Sequence, residues 1–106
     1  MAGGRRDIEP LLEAAVPLMR KRGIASAVLF GSFAKGTAHA TSDIDVAVWP
    51  GEGWTVRDWD ALQDDLEALP SLRKWDLVRM NGFVSPTLKE MIDRDGIVLY
   101  GPAGQP

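Results

Sequence analysis

A chain of 106 residues with 45% hydrophobic and 25% charged side chains has room for one folded domain around one core, and its composition is not that of a disordered or fibrous protein. A formal charge of −3 means the surface as a whole does not attract a phosphate backbone, so general nucleic-acid binding is disfavoured. No apolar run approaches the roughly 20 residues of a bilayer span and no signal-peptide block follows Met1; no membrane association and a cytoplasmic location are therefore expected, which the absence of cysteine suits.

From Ile8 the apolar positions Ile8, Leu11, Leu12, Ala15, Leu18 and Met19 recur at helical spacing, which predicts a core-covering helix with Asp7 as N-cap and Gly23 as its stop. Pro17 lies inside this helix and deletes one backbone hydrogen bond, so a kink or an early break is expected there. Residues 25–30 read as a short buried strand stopped by Gly31. The small, polar stretch 31–42 suits a tight turn with about one helical turn. In the next strand Ile44, Val46 and Val48 alternate with Asp43, Asp45 and Ala47, giving one packed face and one face that carries carboxylates.

Thr55 and Asp58 form a capping-box pattern, and Trp59, Leu62, Leu66 and Leu69 line one face of the helix that runs up to Pro70. Residues 75–80 make the next strand, with Asp76 near its start. Ser85 and Pro86 supply an N-cap and first-turn proline for a helix bearing Leu88, Met91 and Ile92, ended by Gly96. Residues 97–100 form a last short strand, and 101–106 read as a flexible tail. The order predicts an α+β (α/β) fold: one domain over 1–106, core about 7–100, with a small mixed β-sheet of about four strands and helices packed mainly on one face. The basic pieces Arg20-Lys21-Arg22 and Arg73-Lys74 read as helix ends or solvated loop.

Aspartate is depleted in strands, yet Asp43, Asp45 and Asp76 fall within or at the mouth of two of them. Asp43 and Asp45, two apart, leave the same face; if Asp76 joins them from a neighbouring strand, three like charges converge and either raise a pKa or require a cation. Hard oxygen ligands of this kind select Mg²⁺ or Mn²⁺, and a nucleoside triphosphate completes such a site. The alternative is structural: Ser42-Asp43 caps a turn, Asp45 is an exposed strand residue, and Asp76 pairs with Lys74 or Arg79. Gly31-Ser32 directly after a strand offers backbone N–H groups and a hydroxyl to a triphosphate tail, and Gly36 permits the turn back.

Gly31-Ser32, ten residues, then Asp43-Ile44-Asp45 resembles the signature of the DNA polymerase β-like nucleotidyltransferases, and of their smallest members, the minimal nucleotidyltransferases, above all. Trp75-Asp76-Leu77-Val78 is similar to the segment that supplies the family's third carboxylate, and the run from Met91 through Asp95-Gly96 to Tyr100 resembles its C-terminal pattern. The resemblance implies the polymerase β palm-like fold. It makes Asp43 and Asp45 ligands bridging two Mg²⁺ ions, makes Asp76 a ligand of one of them that helps activate the attacking hydroxyl, and makes Gly31 and Ser32 holders of the β- and γ-phosphates of ATP. Lys35 stands where many relatives carry arginine and is a further phosphate contact, without the bidentate fork.

His39 reads as an exposed bystander, Trp49, Trp54, Trp59 and Trp75 as core or partner-facing residues, and Lys74 and Arg79 as either triphosphate-steering cations or charge balance. The resemblance implies transfer of a nucleoside monophosphate, AMP from ATP, to an acceptor hydroxyl. Minimal members resemble the antitoxin half of a pair whose other half is a helical HEPN-type ribonuclease toxin, so a helical protein partner is expected to supply the acceptor or complete the site. The second expectation, of another class, is a non-catalytic module that neutralises such a partner by contact. The oligomeric state stays open, a homo-oligomer included.

Overall fold

A computed structural model describes residues 5–102. A 3-10 turn (Arg5–Ile8) leads into α1 (Glu9–Lys21); β1 (Ile24–Phe30), α2 (Ser32–Lys35), β2 (Ile44–Pro50), α3 (Val56–Glu67), β3 (Trp75–Arg79), α4 (Pro86–Asp95) and β4 (Ile97–Tyr100) follow. The four strands form one mixed sheet in the order β3-β2-β1-β4, with β1 antiparallel to both β2 and β4 and β2 parallel to β3.

Period-two alternation divides the sheet into two faces. Ala27 and Leu29 of β1 and Ile44, Val46 and Val48 of β2 pack under α1 and α3, which contribute Leu12, Ala15, Met19, Leu62 and Leu66. The opposite face carries Val28, Phe30 and Ala47, and α4 covers part of it with Ile92 and the half-buried Leu88 and Met91. Two of the longer helices thus share one face while α4 stands alone on the other. Arg22, just past α1, ties that helix to α3 through Asp65, its Nε donating to Oδ2 at 2.7 Å. Among the described residues no helix is long and apolar enough to cross a membrane.

Several helix ends follow their sequence signals. The Thr55 N–H donates to the Asp58 carboxylate at 2.9 Å, the Ser85 hydroxyl accepts from the Leu88 N–H at 3.2 Å, and Gly23 lies just past the end of α1. Others differ. Asp7 is not the N-cap of α1: it sits within the 3-10 turn and Ile8 takes the cap position without a side-chain bond, because Ile8 is fully buried and its packing outweighs a cap. Pro17 does not break α1, which runs on to Lys21. Pro17 and Glu13 both lie on the exposed face of the helix, away from the core, while Met19 anchors the last turn in the core. Gly101, assigned to the tail by the sequence, is not loose. A side chain at Gly101 would run into the Ala25 carbonyl and Ser26, so this residue is closely packed on β1; 103–106 lie outside the described residues.

The end of β4 is fastened by Tyr100, whose hydroxyl donates to the Ile24 carbonyl at 2.6 Å while the Arg20 guanidinium lies 4.3 Å from the ring centre. Burial pushes the phenol up to about 12, partly opposed by the Arg20 charge, so the donor keeps its proton across the physiological range. Tyr100→Phe is expected to lower the unfolding free energy by about 1 kcal/mol, read as a lower urea midpoint at unchanged slope.

Candidate active site

The register of the sheet brings the carboxylates together. Asp45 stands opposite Asp76 across the parallel β2/β3 pair and opposite Phe30 across the antiparallel β1/β2 pair, so three strand ends meet at one level. Asp45 and Asp76 point to the α4 face, since their neighbours Val46 and Leu77 belong to the other core. Asp43 lies just ahead of β2 and, like Asp76, is exposed; Asp45 is half-buried.

Gly31 closes the site from the β1 side. Its backbone, φ 74° and ψ −151°, lies in a region open essentially to glycine alone. A side chain at this position would collide with Asp45 Oδ2, so the Gly31 backbone and the Asp45 carboxylate are packed against each other. α2 starts at Ser32 directly after this contact, while its Phe33 is buried and anchors the short helix. Lys35, at the far end of α2, faces the C-terminal end of α4, with Nζ 3.9 Å from Asp95 Oδ2, and Arg94 also donates to that oxygen at 3.1 Å.

Burial, then the Asp76 charge, a hydrogen bond with Asp76 and the Asp43 charge push the Asp45 carboxyl from 3.8 up to about 6. All the causes act in one direction, which marks a pocket short of positive charge. Hard, crowded carboxylate oxygens are the donors that Mg²⁺ and Mn²⁺ take, so the residues fit such an ion by donor type and by strand register. Among the described residues no three His, Cys, Asp or Glu side chains converge closely enough to cage an ion unaided. Two carboxylates in contact with a third at the same strand end match the habit of Mg²⁺, which takes one or two protein carboxylates and fills its remaining positions with phosphate and water.

Other sequence-predicted residues fall away from this cluster. Arg79 does not flank Asp76: it lies on the opposite sheet face, its guanidinium 5.3 Å from the Trp54 ring centre and 5.2 Å from that of Trp59. Trp54 and Trp59 meet edge-on at 6.5 Å and, with Trp75, pack against the main core; Trp49 packs on the α4 side. All four are half-buried rather than exposed, which fits core roles. The His39 side chain is exposed, while its backbone N–H donates to Ser42 Oγ at 2.8 Å. Beside Asp43 a cleft of about 440 Å³ is lined by Ala40, Thr41, Leu72, Arg73 and Lys74. A second cleft, of about 390 Å³ between α3 and β3, involves Trp75 and Leu77 and so opens on the face away from Asp45 and Asp76.

Sequence reasoning missed two side chains. Arg73, read as a helix end or solvated loop, donates from one nitrogen to the carbonyls of His39 and Ser42 at 3.1 and 3.0 Å. Asp95, noted only within a C-terminal pattern, is the partner of Lys35. Neither leaves a local signal, because each contact joins residues far apart in the chain.

Because the folded chain holds the Asp45 proton more tightly than the unfolded chain, between about pH 4 and 6 it binds more protons, and stability falls as pH rises through that window. Asp45→Asn removes the ionisation. The variant is expected to be more stable than the parent at pH 7.5 by roughly 1–2 kcal/mol, after discounting for the half-exposed position. Urea unfolding at pH 4 and pH 7.5 checks this; an equal gain at both pH values would contradict it.

The family model described as polymerase beta, nucleotidyltransferase, matches residues 14–103. A relative from Methanocaldococcus jannaschii, provisionally named a protein adenylyltransferase, is 31% identical over 91 residues, covering 86% of this chain and 96% of its own. Among solved structures, one described as a minimal nucleotidyltransferase is 32% identical with a TM-score of 0.74, covering 90% of this chain and 95% of the other. A toxin–antitoxin structure with AMP-PNP is 28% identical with a TM-score of 0.69, covering 87% of this chain and 74% of the other. With the family model spanning the sheet, α2 and all three carboxylates, this chain belongs to the polymerase beta nucleotidyltransferase family.

Proposed function

We propose that this nucleotidyltransferase moves AMP from ATP, with Mg²⁺, onto an acceptor hydroxyl of a helical HEPN-type toxin partner, and so acts as its antitoxin. The observation that carries the reading is Asp45, in register with Asp76 and pressed against the Gly31 backbone, in a pocket whose carboxyl is pushed up by burial and like charge. A relative named for adenylyl transfer to protein and a toxin–antitoxin neighbour bound to AMP-PNP support the nucleotide and the kind of partner.

In this reading Asp43, Asp45 and Asp76 would hold the cations, and the Gly31 backbone and the Ser32 hydroxyl would hold the β- and γ-phosphates, with Lys35 as a further contact. Bound divalent cations supply charge neutralisation at the phosphate oxygens and at the entering and leaving oxygens. The acceptor oxygen attacks the α-phosphorus as the bond to the bridging oxygen of pyrophosphate breaks, and the hydroxyl proton passes to a carboxylate of the cluster. Asp76, on the outermost strand and exposed, is open to an incoming acceptor. Lys35 would exchange Asp95 for a phosphate oxygen, a change of partner that a flexible lysine makes readily.

In this reading the partner supplies the acceptor hydroxyl and would complete the site. The lack of a ready three-residue cage among the described residues favours a second reading, neutralisation of the partner by contact alone. Incubation of the chain and its partner with Mg²⁺ and α-labelled ATP separates the two. Labelled partner is expected with the parent chain, and at least roughly 100-fold less with Asp45→Asn or Asp76→Asn, the scale on which removing one transition-state contact acts. Transfer that survives both substitutions would remove the mechanism, and neutralisation with no transfer by the parent would leave the binding module.

A further inference from the structure

We propose that Arg73 is a positioning residue that sets where the Asp43 carboxylate stands relative to Asp76, and through it the affinity of the site for a divalent cation. The inference rests on the reading of the three carboxylates as cation ligands.

Asp43 precedes the first residue of β2 and therefore lacks a place in the regular ladder. What fixes it comes from the segment that leads into β3. On one side, the Ser42 carbonyl, which belongs to the same peptide group as the Asp43 nitrogen, accepts from the Arg73 guanidinium at 3.0 Å. On the other, the Ile44 N–H donates to the Lys74 carbonyl at 2.8 Å. Asp43 is thus held between two bonds supplied by residues 73 and 74, and two residues further on stands Asp76. The same guanidinium nitrogen reaches the His39 carbonyl at 3.1 Å, and the turn it grips is closed by Ser42 N–H to His39 O at 2.9 Å.

The guanidinium also lies 4.9 Å from the ring centre of Phe33, the buried anchor of α2 one residue after Ser32. One side chain therefore touches the α2 segment and the turn before β2 while its backbone leads into β3. Both bonds come from one terminal nitrogen whose N–H directions are fixed by the guanidinium plane, whereas a lysine ammonium turns freely on its stem. Of the three carboxylates only Asp43 lies outside the strands, so it is the outlying member whose placement decides whether all three can serve the same cations.

The test uses the full chain. Arg73→Met keeps an apolar stem and removes the donors, Arg73→Lys keeps the charge without the planar, fixed N–H directions, and Ser71→Ala removes the hydroxyl that accepts the Arg73 backbone N–H at 3.0 Å. Ser71→Ala serves as the control for loop stability. Mn²⁺ affinity is measured by electron paramagnetic resonance with a non-hydrolysable ATP analogue present, alongside exchange of the Ile44 amide and the thermal midpoint. Arg73→Met is expected to weaken Mn²⁺ uptake roughly 10-fold or more, the scale of losses when a group orienting a metal ligand is removed. Arg73→Lys should fall between it and the parent, and Ser71→Ala should match the parent. Should Arg73→Met prove unfolded, the Arg73→Lys comparison carries the result. A parent that takes up Mn²⁺ with unchanged affinity in folded Arg73 variants, or an equal loss in Ser71→Ala, overturns the role of Arg73 alone. A parent that takes up no Mn²⁺ overturns the reading of the carboxylates as well.

Discussion

Everything in the candidate site depends on the sheet holding like charges together against their repulsion. Asp45 and Asp76 cannot separate without breaking the parallel pairing of β2 with β3, and Asp45 cannot retreat from Gly31 while β1 and β2 stay paired through Phe30. Backbone hydrogen bonds, which are cooperative and belong to the whole sheet, oppose an electrostatic cost concentrated on one half-buried carboxyl. A pocket of this kind is stabilised by whatever brings positive charge into it, so binding and folding pull in the same direction there.

The two faces of the sheet divide the work. Under α1 and α3 lie the fully buried Leu29, Ile44, Val46 and Val48, and this side carries most of the apolar burial. The α4 side has a smaller core, centred on Val28, Phe30, Ala47 and Ile92, and beyond it Asp43 and Asp76 are exposed and Asp45 half-buried. A side chain on β2 changes face with each residue, so the strand can be rigid through Val46 and chemically exposed through Asp45 at the same time. That arrangement is why an aspartate is tolerated inside the strand: Ile44 and Val46 on either side of Asp45 bear the packing.

Much of this was legible in the sequence, and for identifiable reasons. Alternation in residues 44–48 and 75–79 is a local signal, as are the Thr55/Asp58 box, the Ser85-Pro86 start and the Gly31-Ser32 pair after a strand, and each corresponds to an element of the fold. Failures came where tertiary burial or distance decided. The N-terminus of α1 was set by burial of Ile8 rather than by the capping capacity of Asp7, and Pro17 was accommodated on the exposed face of the helix while Met19 held the last turn in the core. Arg79 reads as a neighbour of Asp76 at a spacing of three, but on a strand an odd spacing places it on the other face, between Trp54 and Trp59.

Arg73 and Asp95 show a further limit of local reading. The partners of Arg73 lie 31 and 34 positions away, and no periodicity or cap pattern refers to them. Such side chains become necessary because the groups they hold lie outside the regular ladder: Arg73 grips the turn just before Asp43 and β2, and Asp95 meets Lys35 at the end of a one-turn helix. Strands place Asp45 and Asp76 without outside help, whereas residues at the strand mouths need tethers from elsewhere in the chain. A site assembled at strand ends therefore draws part of its geometry from the sheet, where sequence patterns are informative, and part from contacts between residues distant in sequence, such as Arg73 to Ser42, which become visible only once the chain has folded.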